Sequence, residues 1–265
     1  MHYVGVDLAW GQRAATGIAV LDAAGRLLTL DTVTTDAQIL HLLDRHAADE
    51  VLVAFDAPLV VMNDAGMREC EKQVARTFGR FGIGCHAAHR GMTGFADGGR
   101  AARIAQAAGL DPAPWSTEPR RAVEVYPHPA IVQLFGLPRA LRYKHKPGRD
   151  LDLLRAELTR LLDLLESLED AGPALHLTQH EAWQGTRRRV AAATRKVHLR
   201  REEDAVDAVV CAYVALLAHQ APDSVRVLGA HAADGGYLLT PVDPGTAAAL
   251  DAAGTATTYP VPRPT

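Results

Sequence analysis

Asp7 follows directly on Val4-Gly5-Val6, and Asp56 ends the apolar run Val51-Leu52-Val53-Ala54-Phe55. Glu124 is flanked by Val123 and Val125, and Asp204 and Asp207 interrupt a stretch that is otherwise apolar, Ala205-Val206 and then Ala208-Val209-Val210-Cys211. Stripping the water from a carboxylate in such surroundings costs on the order of several kcal/mol unless something compensates it. Carboxylates crowded together also repel one another, and some of them take up protons near neutral pH. A hard divalent cation resolves that repulsion, because Mg2+ and Mn2+ prefer oxygen ligands. Two such ions about 4 Å apart activate a water and stabilise the leaving oxygen in phosphodiester hydrolysis. That is the chemistry these residue types suggest.

Each carboxylate also has an ordinary structural reading. Asp56, before Ala57-Pro58, suits a turn or the cap of a following helix. Glu124 could pair with Arg120 or Arg121. Asp204 could be a helix-start residue favoured by the helix dipole, with Glu202 and Glu203 as companions. Asp207 lies one turn further in, where that explanation weakens, and the i, i+3 spacing puts both aspartates on one helix face. The chemical reading rests on the joint arrangement.

The elements that must position these groups follow from hydrophobic pattern. Residues 3–8, 17–21 and 27–34 read as three strands joined by short loops, which favours an antiparallel meander. Asp36 can cap a helix carrying Ile39, Leu40, Leu42, Leu43 and Ala47 at helical spacing. Residues 51–55 form a continuous apolar run, the pattern of a strand covered on both faces. A crossover then returns this fourth strand beside the first and parallel to it. Asp7 and Asp56 would share the carboxyl end of the sheet, where open α/β sheets bind ligands.

Residues from about 62 to 120 hold Gly79, Gly82, Gly84, Gly91, Gly94, Gly98 and Gly99 between two weak helical patches, and read as an inserted, partly mobile lid. Residues 122–126 resume the sheet as a fifth strand stopped by Pro127 and Pro129. Residues 151–168 form an amphipathic helix capped by Asp150, and a last long helix covers residues 202–219. Residues 235–241 read as a short peripheral strand, and the Thr- and Pro-rich residues 254–265 as a loose tail. The expectation is α/β: one domain over residues 1–250, with the insertion at about 62–120 and a tail at 251–265. Its sheet is mixed and five-stranded, order 3-2-1-4-5, with helices on both faces and a helical insertion between strands four and five.

The bulk composition narrows the function classes. A net charge of -3 gives no overall pull toward polyanions, so a nucleic-acid surface would have to be local. Arg139, Arg142, Lys144, Lys146 and Arg149 offer one such cluster, and Arg187, Arg188, Arg189, Arg195, Lys196, Arg200 and Arg201 another. Phosphate contacts from these would give affinity without sequence choice, while the plain alternative is a solvated helix face. Aromatics at 5% argue against an extensive stacking platform. The scattered Cys70, Cys85 and Cys211 fit a reducing compartment, and with no signal peptide and no long apolar run the expected location is the cytoplasm, away from membranes. Cys85, His86, His89 and His128 lack paired zinc-ligand spacing. No Walker or GxGxxG motif occurs, and the turns after Asp7 and Asp56 are not phosphate cradles.

Four motifs carry a family resemblance: Val6-Asp7-Leu8-Ala9-Trp10-Gly11, Ala54-Phe55-Asp56-Ala57-Pro58-Leu59, Val123-Glu124-Val125-Tyr126-Pro127 and Asp204-Ala205-Val206-Asp207-Ala208. Together they resemble the family catalogued as domain of unknown function 429, described as predicted ribonuclease-H-like nucleases, over nearly the whole chain. Tyr143-Lys144-His145-Lys146-Pro147-Gly148 resembles that family's Lys-x-Lys-x-Gly stretch. The wider superfamily includes resolvases with an Asp on the first strand, a carboxylate on the fourth and an Asp-x-x-Asp pair on the last helix. Asp7, Asp56, Asp204 and Asp207 match that pattern. The resemblance implies a ribonuclease-H-like fold and Mg2+- or Mn2+-dependent cleavage of DNA or RNA, in a chain that could act as a homodimer. Asp7, Asp56, Glu124 and Asp207 would ligate metal with help from Asp204, either Asp56 or Glu124 being the odd one out, and Lys144 and Lys146 would contact phosphates. The competing expectation is a non-catalytic binding or regulatory module that keeps the fold.

Overall fold

The computed structural model describes residues 1–11, 14–46 and 50–261. Gln12, Ala47 and the end of the expected tail, residues 262–265, lie outside the described residues. β1 (His2–Asp7), β2 (Thr16–Leu21) and β3 (Leu27–Val33) form the antiparallel meander. α1 (Asp36–His46) leads to β4 (Val51–Phe55), which lies parallel to β1. α2 (Glu69–Phe78) and α3 (Arg100–Ala107) occupy the helical insertion before β5 (Arg120–Glu124), which lies parallel to β4. The strand order is 3-2-1-4-5, as expected.

Helices cover both faces, which is why β2 and β4 are buried at every position. On one face α1 and α3 pack with Val4, Val6, Ile18, Val53 and Phe55. The other face carries α4 (Pro127–Leu134), α5 (Leu151–Glu166), α6 (Glu181–Ala191) and α7 (Lys196–Gln220). Pro127 was expected to stop a strand; it also starts α4, because a proline fits the first helical turn, where its missing N–H has no partner to lose. α5 buries Leu154, Leu158, Leu161 and Leu165 along its apolar face, and Asp150 caps it by accepting from Leu153 N at 2.8 Å.

α7 is buried without interruption from Ala205 to Ala218, as a helix apolar on all sides must be. It starts at Lys196 rather than near 202, so Asp204 lies more than two turns inside it. A helix-start role for Asp204 is thereby removed. The helix axis sits so close to the sheet that two strand positions have no room for a side chain. A Cβ at Gly5 would stand 1.9 Å from Ala208 O, and one at Gly17 would stand 1.9 Å from Asp204 O.

The C-terminal region departs from expectation. β6 (Val225–Leu228) and β7 (Leu238–Pro241) pair antiparallel, and β8 (Ala256–Thr257) adds to the other edge of β6 after α8 (Pro244–Ala252). The residues read as a loose tail are held down through 261: Tyr259 and Val261 are buried, and Val261 N donates to Pro114 O at 2.8 Å. Those two apolar residues, spaced i, i+2 in a Thr- and Pro-rich stretch, were the overlooked signal. The insertion is likewise anchored rather than loose, because Cys70, Val74 and Phe78 of α2 are fully buried. No helix among the described residues is long and apolar enough to cross a membrane.

The close approach of α7 gives a direct test. Gly5→Ala must push a helix carbonyl away from the sheet, an overpacking change costing about 3 kcal/mol or more. At roughly 2–4 °C per kcal/mol for a chain of this size, thermal melting should fall by about 6 °C or more, or the variant should fail to fold. An unchanged melting temperature would contradict the packing described.

Candidate functional site

Sheet register sets the site. Val6 pairs with Phe55 and Phe55 with Glu124, so Asp7 and Asp56 occupy the next row, side by side at the carboxyl ends of parallel strands. Strand side chains alternate between faces. Val6 and Phe55 point to the α1–α3 face, so Asp7 and Asp56 turn toward the face covered by α7. Glu124 is one row behind, between Val123 and Val125, which belong to the α7 face, so it points to the other side. α7 completes the group, with Asp207 fully buried and Asp204 half-buried. Asp7, Asp56, Asp204, Glu124 and Lys144 all line one pocket of about 570 Å3.

Glu124 does not join the aspartate cluster. Arg68 grips it with two bonds, Nη2 to Oε1 at 2.6 Å and Nη1 to Oε2 at 2.8 Å, and Leu59 N donates to Oε2 at 3.0 Å. Arg68 is 1% exposed, bonds Glu71 through Nε at 2.8 Å, and reaches Val60 O at 3.0 Å. Both oxygens of Glu124, expected as a metal ligand, accept from these donors. Its partner is neither Arg120 nor Arg121 but a residue 56 positions earlier, at the mouth of α2. Sequence reading passed over Arg68; an arginine followed by Glu69-Cys70-Glu71 in a helical patch offered no local sign of burial.

Lys144, expected as a phosphate contact, lies among the aspartates. It sits in the loop between α4 and α5, and its ammonium lies 3.3 Å from Asp7 Oδ2 and in direct contact with Asp207 Oδ2. Tyr143 OH donates to Asp207 Oδ1 at 2.7 Å, and His145 N donates to Glu203 Oε1 at 3.0 Å. Arg149 Nη1 donates to Lys144 O at 2.9 Å. The loop thus delivers a cation into the carboxylate cluster instead of displaying it to solvent. Lys146, two residues on, is exposed. Two residues of the second basic run are engaged in ion pairs, Arg187 with Asp163 and Glu166, and Arg189 with Glu202.

Electrostatics follow from that burial. Desolvation pushes Asp7 up to about 7; Lys144 pulls it back, and Asp207 and Asp204 add to the rise. Asp56 is raised well above the carboxylate range by burial first and the neighbouring Asp7 second. Asp204 rises to about 6 and Glu203 to about 7, again mainly from loss of water. Burial alone would lower Lys144, but Asp207 and Asp7 outweigh it and raise its pKa, so the ammonium stays charged. His128, enclosed between Tyr126 and Tyr143, is lowered to about 4 by burial and is neutral at pH 7.

The donors suit a hard cation in type and charge. In the present arrangement, however, no group of three or more acidic, His or Cys side chains among the described residues is disposed to hold a metal ion. The ammonium of Lys144 takes the position of positive charge between Asp7 and Asp207.

Two predictions follow from these two charge clusters. Arg68→Met leaves Glu124 and Glu71 buried without their partner and should cost about 3–5 kcal/mol by chemical denaturation, much of it regained in Arg68→Met/Glu124→Met/Glu71→Met. An exposed pair would instead lose under about 1 kcal/mol. Separately, Asp7, Asp204 and Glu203 bind protons more tightly in the folded than in the unfolded chain. Their contribution to stability is full below about pH 4 and is lost as pH rises through about 6 to 7. Asp7→Asn removes one such group, so its melting temperature relative to the wild type should climb between about pH 5 and pH 8. A difference independent of pH would show that Asp7 titrates normally.

Set beside known proteins, the chain matches over residues 5–234 a family model described as a protein of unknown function, DUF429. No curated protein and no solved structure matches it significantly. With the match covering most of its length, the chain belongs to the DUF429 family.

Proposed function

We propose that the chain is a ribonuclease-H-like hydrolase that cleaves phosphodiester bonds of DNA or RNA in the pocket above β1 and β4. One observation carries this reading: Asp7 and Asp56 lie side by side at the carboxyl ends of parallel strands, Asp204 of α7 lines the same pocket, and Asp207 lies buried behind it in contact with Lys144. In such a reaction water adds to phosphorus, the P–O ester bond breaks, and the leaving oxygen takes a proton. Asp7, with its proton affinity near neutrality, is suited to accept the proton of the attacking water. Asp56, whose proton affinity is raised by burial and by the neighbouring Asp7, would release its proton on binding a cation beside Asp7, and the leaving oxygen would take its proton from water. Asp207 holds Lys144, whose charge would attract the phosphate.

Mg2+ or Mn2+ would be held by Asp7, Asp56 and Asp207 and would supply a bound water of lowered pKa together with charge stabilisation at phosphorus. Lys144 must withdraw for that, and its flexible four-carbon stem permits it. The released ammonium would then be free for a phosphate oxygen, with Lys146 exposed nearby in the same loop.

A second reading, a binding or regulatory module without turnover, is favoured by the same lysine, because Lys144 already supplies a positive charge to Asp7 and Asp207 with no metal required. Manganese titration calorimetry and a cleavage assay on single-stranded and branched nucleic acids separate the two. The hydrolase reading expects Mn2+ binding and cleavage in the wild type, both lost in Asp7→Asn, with Mn2+ binding at least about tenfold tighter in Lys144→Met, the equivalent of roughly 1.4 kcal/mol. No Mn2+ binding and no cleavage by wild type, with intact folding, would favour the binding module.

A further inference from the structure

Trp10 is 68% exposed, the most exposed of the large apolar side chains among the described residues. It lines the mouth of the carboxylate pocket together with Phe95 and Arg200. Its surroundings are not those of a loose surface residue. Arg100, 9% exposed, clamps the backbone on both sides of it, Nη1 donating to Ala9 O at 2.7 Å and to Gly11 O at 3.2 Å. The same guanidinium is fixed by Asp36 Oδ1 at 2.8 Å and Thr34 O at 3.2 Å. Ala9 N donates to Thr16 Oγ1 at 3.2 Å. Phe95, 6% exposed, meets the indole edge-on, with ring centroids 5.7 Å apart and an interplanar angle of 81°.

A buried guanidinium and a buried aromatic ring thus hold in place a large apolar ring that solvent still reaches. Trp10 is three residues from Asp7, so their Cα atoms are at most about 11 Å apart. That span matches a phosphate in the pocket and a base at its rim. We propose that Trp10 is a stacking platform for an unpaired nucleobase whose neighbouring phosphate enters the pocket at Asp7 and Lys144, so that the substrate is a single-stranded or splayed segment. The inference rests on the hydrolase reading for the phosphate and adds the base. A duplex offers no free base face to an indole at a pocket mouth, whereas an unpaired strand stacks on one in a sequence-tolerant way. Arg200, exposed on the same rim, adds a cation beside the strand.

The test is the affinity of dye-labelled tetrathymidylate for the full chain, read by fluorescence anisotropy in chelator-containing buffer, where turnover does not enter. Trp10→Leu should weaken binding about 5- to 150-fold, and Trp10→Phe should restore most of it. An abasic tetramer of the same charge should bind wild type and Trp10→Leu alike. The proposal is overturned if the wild type does not bind tetrathymidylate, if Trp10→Leu binds as the wild type does, or if the abasic tetramer loses as much affinity as the thymidine one. Trp10-dependent binding with no cleavage under any metal condition would count against the hydrolase reading alone. Cleavage with binding indifferent to Trp10 would count against this inference alone.

Discussion

The structure depends on how closely α7 rests on β1 and β2. A helix normally stands off a sheet by the depth of its side chains, but here Gly5 and Gly17 remove that layer and let helix backbone meet strand backbone. The contact at Gly17 falls on Asp204, and the contact at Gly5 falls on Ala208, next to Asp207. The two glycines therefore fix the depth and register of the acidic face of α7 against the strand that ends in Asp7. With any side chain at either position, α7 could not bring Asp204 to the pocket lined by Asp7 and Asp56, nor Asp207 to the ammonium of Lys144.

Bringing carboxylates together out of water is unfavourable, and the fold answers it twice in different ways. Glu124 and Glu71 receive a single guanidinium, Arg68, whose planar fork satisfies both oxygens of Glu124. That cluster is saturated, and its consequence is mechanical: it ties the start of the insertion to the end of β5. Among the described residues, Asp7 and Asp207 receive the ammonium of Lys144, a point charge on a flexible stem, with Tyr143 on the remaining oxygen of Asp207. Asp56 and Asp204 keep raised proton affinities because burial strips their water, and the pull of Lys144 does not offset that loss. The first cluster is a fastening; the second retains proton affinity and exchangeable charge, which is what a site of chemistry requires.

The same loop architecture explains why the pocket has two different walls. The loop that carries Lys144 approaches from the α7 face, pinned by Glu203 and Asp207. The loop after β1 also lines the pocket and is fixed from α3 through Arg100. One wall is charged and the other presents apolar and aromatic groups, an asymmetry suited to a ligand with an anionic and a planar part.

The sequence by itself determined the strand order, the helix stripes and the placement of Asp7 and Asp56 at neighbouring strand ends. These follow from short-range periodicity and from apolar runs that only a doubly covered strand explains. It also marked Asp204 and Asp207 as costly in an apolar helix. Only the tertiary structure decided what compensates each charge. The partner of Glu124 lies 56 residues away and that of Asp7 lies 137 residues away, through loops whose paths no local pattern encodes. Likewise Glu124 and Asp56 look equivalent as strand-end acids, and a one-residue offset in register sends them to opposite faces of the sheet. The packed C-terminal residues were hidden for the same reason: Tyr259 and Val261 gain their meaning from the small sheet and from Pro114, which lie far from them along the chain.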